Sequence, residues 1–139
     1  MKRREKVSQI MTTEVQTVNI NNSLQEANNL FKKHHIRHVP VVSGEKLIGI
    51  LSHTDILRIS FGNTFGDEQQ GGDEAIFDML SINQVMKHSP VTVSPEGTLK
   101  EAAEILSDKE FHALPVVENE KLVGIVTTTD IIKYFLEQY

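Results

Sequence analysis

The 139-residue sequence is 39% hydrophobic and 24% charged with a formal charge of −5, an ordinary composition for a globular chain of one domain or two very small ones. It contains no cysteine, which excludes disulfide scaffolds, thiolate metal sites and cysteine nucleophiles. No apolar run is long enough to cross a bilayer and the basic N-terminus lacks the apolar core of a secretion signal, so we expect a cytoplasmic protein.

An internal repeat with an offset of 75 residues accounts for most of the chain. Residues 7–58 align with residues 82–133 without a gap, and 18 of the 52 aligned pairs are identical. Such a repeat predicts two copies of one supersecondary unit. We therefore divide the chain into a first repeat at residues 7–58, a connector at residues 59–81 and a second repeat at residues 82–139.

Each repeat opens with a short extended segment, at residues 15–20 and 90–95, and continues into a helix. The helix starts are marked by Ser23-x-x-Glu26 and Thr98-x-x-Glu101, in which two side chains and two backbone N–H groups cap each other. Apolar residues at helical spacing after each start predict one buried face per helix. These residues are Leu24, Ala27, Leu30 and Phe31 in the first repeat, and Leu99, Ala102, Ala103 and Leu106 in the second.

Two apolar runs separated by a turn sequence follow each helix, which indicates a β-hairpin. The turns fall at residues 43–46 and 118–121, and a second helix is expected from about Thr54 and Thr129. The predicted fold class is α/β, with two β-α-β-β-α repeats. A unit of about 50 residues buries little apolar surface alone, so we expect the two to pack with pseudo-twofold symmetry and to form two equivalent clefts.

The connector carries the whole net charge of the chain, because it contains five acidic residues and no lysine or arginine. Its middle, residues 66–73, is typical of a flexible loop, and residues 74–80 are compatible with a short helix. The acidity therefore belongs to the connector and does not argue against an anionic ligand elsewhere.

No metal or catalytic signature is complete in this sequence. His34 and His38 would form half a metal site on one helix, but the following Val39-Pro40 predicts that the helix ends before His38. A serine-hydrolase elbow and the glycine-rich phosphate and dinucleotide loops are absent. His53 and His88 are lone surface candidates without a partner. We therefore expect no enzyme, no metal and no required cofactor.

The one doubled polar pattern is Gly-x-x-Ser/Thr-x-x-Asp at residues 49–55 and 124–130. One interpretation is structural, because a hydroxyl followed three residues later by a carboxylate caps a helix. The other is functional, because the same geometry sets N–H donors and a hydroxyl beside a carboxylate, as a nucleotide phosphate and ribose require. The two interpretations can both hold.

With these residues the sequence resembles a tandem pair of CBS domains, the regulatory modules named after cystathionine β-synthase. The resemblance covers residues 7–133. It rests on Met11-Thr12 and Met86-Lys87 at the openings, on Val-Pro-Val-Val and Leu-Pro-Val-Val at residues 39–42 and 114–117, and on the doubled closing pattern.

The resemblance implies a sensor rather than an enzyme, with two clefts for adenosine-containing ligands such as AMP, ADP, ATP or S-adenosylmethionine, of which AMP is favoured. It also implies a homodimer formed through the closing helices, and an unknown regulated partner. Carried over residue by residue, the first cleft takes Ser52, Thr54, Asp55, Arg37 and His38, with Val91, Phe111 and His112 from the other copy. The second takes Thr127, Thr129, Asp130 and His112, with Gln16, Ile36 and Arg37 opposite.

Charge favours the Asp55 cleft, because Arg37 brings the fixed positive charge of an arginine, whereas the equivalent position in the second repeat is a histidine, His112. Two other functions stay open. A ligand-free structural or interaction module would use Ser52 and Thr127 only as caps. Nucleic-acid binding would rely on Lys2, Arg3, Arg4 and Lys6, a small set with no neighbouring aromatic side chain for stacking.

Overall fold

The fold is that of a computed structural model, which describes residues 5–62, 70–108 and 112–139. The chain divides into two compact units. We call Gln16–Gly44 with Ile48–Ser89 the first-repeat unit, and Met1–Val15 with Glu45–Leu47 and Pro90–Tyr139 the second-repeat unit. None of the described helices is both long enough and apolar enough to span a bilayer.

The first-repeat unit is a mixed α/β structure. Its strand β1 runs parallel to β2, β2 is bonded to β3, and β4 pairs antiparallel with β3. The elements in chain order are β1 (Val18–Asn19), α1 (Leu24–His34), β2 (His38–Ser43), β3 (Lys46–Ser52), α2 (His53–Gly62), α3 (Gln70–Met79), α4 (Ile82–Val85) and β4 (Lys87–His88). Residues Lys46 and Leu47 of β3 belong to the second-repeat unit.

Helix α1 begins and ends where the sequence predicts. The Ser23 hydroxyl accepts from the Glu26 N–H at 3.0 Å, and the Glu26 carboxylate accepts from the Ser23 N–H at 3.0 Å. The helix ends at His34, and His35 adopts the left-handed conformation with φ 54°. Of the predicted apolar face, Leu30 is half-buried, while the other three side chains lie in one core with Val39, Val41 and Leu51.

The second-repeat unit has the same order of helix, hairpin and helix, packed on a core of its own. After a 3₁₀ turn at Val7–Gln9, it contains α5 (Leu99–Asp108), β5 (Ala113–Glu118), β6 (Lys121–Thr127) and α6 (Thr128–Glu137). The predicted hairpin is present as the antiparallel pair of β5 and β6. Its core holds Val7, Ala102, Leu106, Leu114, Val116 and Val126.

The predicted cap of α5 is also present. The Thr98 hydroxyl accepts from the Glu101 N–H at 3.1 Å, and the Glu101 carboxylate accepts from the Thr98 N–H at 3.1 Å and from its hydroxyl at 2.9 Å. The backbone bond and then the hydroxyl bond hold the pKa of Glu101 below its ordinary value, because both favour the ionised carboxylate.

The opening segment of each repeat is packed in the unit formed by the other repeat. Val7 is fully buried in the core of the second-repeat unit, and Thr12 exchanges two backbone hydrogen bonds with Ile125 at 2.8 and 3.0 Å. Ile82 and Met86 lie in the core of the first-repeat unit. The compact units are therefore not coextensive with the repeats in the sequence.

This exchange explains the glycine that opens each doubled pattern. A β-carbon placed on Gly49 would clash with the Met86 sulfur and lie 2.9 Å from the Lys87 carbonyl oxygen. One placed on Gly124 would lie 2.7 Å from the Met11 sulfur. Only glycine leaves room for the opening segment to lie against the strand.

We therefore expect Gly49→Ala to lower the free energy of unfolding by about 1–3 kcal/mol, the usual cost of overpacking. Chemical denaturation of the purified variant measures this change. Lys46→Ala is the matched control on the same strand, since Lys46 is exposed and its 3.8 Å ion pair with Glu120 lies at the surface. Equal stability of the two variants would contradict the close approach seen at Gly49.

The connector is more ordered than its composition predicts. Helix α3 begins at Gln70, so residues 70–73 are helical and the flexible loop predicted for residues 66–73 is wrong over this part, while residues 66–69 lie outside the described residues. Gly71 and Gly72 fall in the first helical turn, where backbone N–H groups need no intrahelical partner. The predicted helix over 74–80 is confirmed except at Leu80, and Phe77 belongs to the core.

Candidate functional site

The doubled Ser/Thr-x-x-Asp pattern forms two matching caps at the N-termini of α2 and α6. The Ser52 hydroxyl accepts from the Asp55 N–H at 3.1 Å, and the Asp55 Oδ2 accepts from the Ser52 N–H at 3.0 Å. Thr127 and Asp130 make the same two bonds at 3.0 and 2.9 Å. The structural interpretation of this pattern is confirmed in both copies.

Each cap has a further first-turn N–H beside it. In α2 the His53 N–H donates to the Arg37 carbonyl at 2.8 Å and the Asp55 N–H donates to Ser52; the Thr54 N–H lies between them, in the first turn, where an α-helix supplies no partner of its own. In α6 the Thr128 N–H donates to the His112 carbonyl at 3.0 Å, and the Thr129 N–H holds the equivalent position. A first-turn N–H at the positive end of a helix is suited to an anion.

The carboxylate of Asp55 is unusual in its burial. Asp55 is 1% exposed, and its Oδ1 atom has no hydrogen-bond partner in the described part of the chain. The Arg58 Nη2 lies 3.0 Å from this oxygen but without hydrogen-bond geometry. A buried carboxylate oxygen without a hydrogen-bond donor lowers the stability of the fold unless a ligand or another group donates to it.

The second copy differs at this point. Asp130 is half-buried, and the residue equivalent to Arg58 is Lys133, which is exposed. Within the described residues no lysine or arginine nitrogen lies within 4.0 Å of the Asp130 carboxylate. The two copies therefore share a backbone geometry but differ in the charge around the carboxylate.

Most of the site residues predicted for the first repeat fall together in the first-repeat unit. The hydrogen bond from the His53 N–H to the Arg37 carbonyl holds the Arg37 backbone beside the start of α2, and the Arg37 side chain is exposed. His38 is half-buried as the first residue of β2. Ile36 is half-buried and Gln16 is exposed in the same unit.

The second-repeat unit holds the other predicted residues. Val91 and His112 are exposed, and Thr129 is exposed in the first turn of α6. Phe111 lies outside the described residues. The use of Val91, Phe111 and His112 for the ligand of the first copy stays a prediction.

Three contacts were missed by the sequence analysis. Arg58 was not considered, although its i, i+3 spacing from Asp55 is a readable signal on a helix. His53 is not without a partner, because its ring lies edge-on to Phe31 at 5.7 Å. His88 is bonded to the Asn83 carbonyl at 2.8 Å.

A metal centre finds no support in the described residues. No group of three or more His, Cys, Asp or Glu side chains there is arranged to hold an ion. Because α1 ends at His34 and His38 starts β2, the two histidines do not share a helix face, as the sequence predicts.

Comparison with known proteins now decides the family. The model of the CBS domain matches residues 7–62 and residues 82–137. The chain belongs to the CBS-domain family. Both repeats are CBS domains, and the matched ranges include the two capped helix starts described above.

Relatives of this CBS chain occur in bacteria and archaea. It is 33% identical over 126 residues to the CBS domain-containing protein YhcV of Bacillus subtilis. The aligned region covers 90% of this chain and 81% of YhcV. It is 29% identical over 132 residues to protein MJ1225 of Methanocaldococcus jannaschii. The aligned region covers 94% of this chain and 47% of MJ1225. The CBS chain thus spans about half the length of that relative.

Solved structures confirm the α/β fold of a CBS pair. The crystal structure of MJ1225 matches with a TM-score of 0.83 at 27% identity, over 97% of this chain and 49% of that one. The CBS-domain pair of protein MJ0100 matches with a TM-score of 0.78 at 27% identity, over 94% and 98% of the two chains. That pair is in complex with 5′-methylthioadenosine and S-adenosyl-L-methionine.

Proposed function

We propose that this chain is a regulatory module that senses an adenosine-containing ligand and signals to a partner protein, without catalysis of its own. The observation that carries the proposal is Asp55, a buried carboxylate at a helix N-terminus with one oxygen that has no hydrogen-bond donor. The two hydroxyls of a ribose are donors of the kind that this oxygen requires.

The donors around Asp55 suit the rest of a nucleotide. A phosphate would accept from the Thr54 N–H and from the Ser52 hydroxyl, since a hydroxyl that accepts through a lone pair still has its hydrogen to donate. Arg37 would add a fixed positive charge. In the second copy the corresponding groups are the Thr129 N–H, the Thr127 hydroxyl, Asp130 and His112.

The ligands of MJ0100 support the adenosine class. Both of them contain a ribose with two hydroxyls, and neither contains a phosphate. AMP stays our preferred ligand for the Asp55 copy, because the positive charge of Arg37 favours a phosphate there.

A thermal-shift screen tests the function. AMP, ADP, ATP, S-adenosylmethionine and 5′-methylthioadenosine are added to the purified chain, and a ligand that binds only the folded state raises the melting temperature. A saturable rise with at least one of them is expected, and inosine monophosphate serves as a control for the base. No rise with any compound would favour the ligand-free module, whose caps are already complete without a ligand.

We also propose a homodimer through the closing helix of the second copy. Helix α6 exposes Ile132 at 53% and Leu136 at 64%, and their i, i+4 spacing places them side by side on the helix surface, as in the apolar patches that mark interaction sites. Sedimentation at high micromolar concentration is expected to show a dimer, and Leu136→Asp is expected to shift it toward monomer. A wild-type monomer under the same conditions would contradict the dimer.

A further inference from the structure

The two copies differ in how their carboxylates are covered. In the first copy, the Asp55 Oδ1 has no exposed surface of its own, and the Arg58 Nη2 lies 3.0 Å away. Asp130 in the second copy is half-buried, with no lysine or arginine in the described residues within 4.0 Å. The rest of the cap is the same in both.

A buried Oδ1 cannot accept a bond from a ligand until a neighbouring group moves away. The other oxygen of Asp55 is already used by the Ser52 N–H, so Oδ1 is the atom that a ribose needs. Arg58 is the group that can move, because its side chain is 61% exposed and an arginine at the surface changes rotamer readily.

We propose that Arg58 is a specificity-determining residue that covers the Asp55 carboxylate and competes with the ribose hydroxyls of the ligand. The inference rests on the proposed function. Binding to the first copy requires the Asp55–Arg58 ion pair to open, whereas binding to the second copy does not. Arg58 therefore lowers the affinity of the Asp55 copy for every ligand with a free ribose.

The effect is separable from the phosphate effect of Arg37. For a nucleotide with a phosphate, the affinity gained from the charge of Arg37 offsets the affinity lost through competition with Arg58. The first copy therefore selects phosphorylated ligands. A neutral ligand such as 5′-methylthioadenosine gains nothing from Arg37 and shows the competition alone. The first copy thus discriminates by the charge of the ligand, and the second copy does so less.

The test is calorimetric titration with 5′-methylthioadenosine at pH 8, in an Asp130→Asn background that leaves the Asp55 copy as the site measured. Arg58→Gln is expected to tighten binding by about two- to fivefold, the range given by the strength of a partly exposed ion pair. Arg58→Lys, which keeps the charge, is expected to stay within twofold of the parent. Lys133→Gln is the matched control at the equivalent position and is expected to change nothing.

Salt gives a second readout that a purely structural role would not change. In the parent, raising NaCl from about 50 to 500 mM weakens the ion pair, so the neutral ligand is expected to bind more tightly. In Arg58→Gln this salt dependence is expected to disappear. Thermal unfolding of each ligand-free variant shows that the folded state is retained.

Three outcomes overturn the inference, and they are distinguishable from one another. If the parent binds the ligand and Arg58→Gln binds it equally or more weakly, Arg58 does not compete, and the proposed function stands. If neither 5′-methylthioadenosine nor AMP binds to any variant, the proposed function fails and the inference fails with it. Binding of AMP alone, even in Arg58→Gln, also overturns the inference.

Discussion

Phe77→Ala is expected to lower the free energy of unfolding by about 3–5 kcal/mol, a large fraction of the stability of a small domain. Phe77 lies in helix α3, within the segment that connects the two repeats, and is only 5% exposed. Its ring belongs to the same core as Phe31 and Leu51. Removing it leaves a cavity that the surrounding side chains fill only in part.

Met79→Ala is the matched control, because Met79 is on the same helix and 75% exposed. Truncating it is expected to change stability by less than about 0.5 kcal/mol. Urea titration of both variants measures the difference. If Phe77→Ala is as stable as Met79→Ala, α3 does not belong to the core and the connector is a solvated linker after all.

Asp55→Ala is expected to weaken adenosine-ligand binding to the first copy by about 10- to 100-fold, the value of losing charge-assisted hydrogen bonds to the ribose. The loss is expected for AMP and 5′-methylthioadenosine alike, because the ribose is common to them. Calorimetry in the Asp130→Asn background reports the change for this copy.

Loss of a cap could itself disturb the fold, so the control for Asp55→Ala is a carboxylate with the same capping role. Glu26 occupies the equivalent position in the cap of α1, where it accepts from the Ser23 N–H. Glu26→Ala is expected to cost about 1 kcal/mol of stability and to leave the ligand affinity unchanged. Equal loss of affinity in both variants would show that Asp55 acts only through stability.

Local features of this fold could be predicted because the signals are short in range. Capping boxes need residues three apart, and the apolar faces of α1 and α5 follow from helical spacing. Helix α1 ends at His34, before the left-handed residue His35 and before His38, as the sequence indicates. Of the two interpretations of the doubled closing pattern, the helix cap is confirmed in both copies, and the ligand site stays a prediction.

Long-range features could not be predicted from the same signals. The exchange of the opening segments pairs Thr12 with Ile125, more than 100 residues apart, and no periodicity encodes such a partner. The helix at residues 70–73 was missed because glycine is poor in a helix interior, yet it is tolerated in the first turn. The core position of Phe77 was not predicted, because a single aromatic residue in an acidic segment is a weak signal of burial.

The candidate site could be predicted only in part. Its residue types follow from the sequence, since one pattern predicts both a cap and a donor set. The difference between the copies does not, because it depends on which rotamer Arg58 adopts and on the burial of Asp55, a product of tertiary packing.

The role of the two carboxylates is tested by calorimetric titration of the wild-type chain, beside the Asp55→Ala/Asp130→Ala double variant, with AMP and 5′-methylthioadenosine. The double variant must first be shown to be folded by thermal unfolding. Saturable binding of at least one ligand to the wild type, and its loss in the folded double variant, is the predicted result. Equal binding to both proteins, or no binding to the wild type, would contradict the assignment of these two carboxylates to an adenosine ligand.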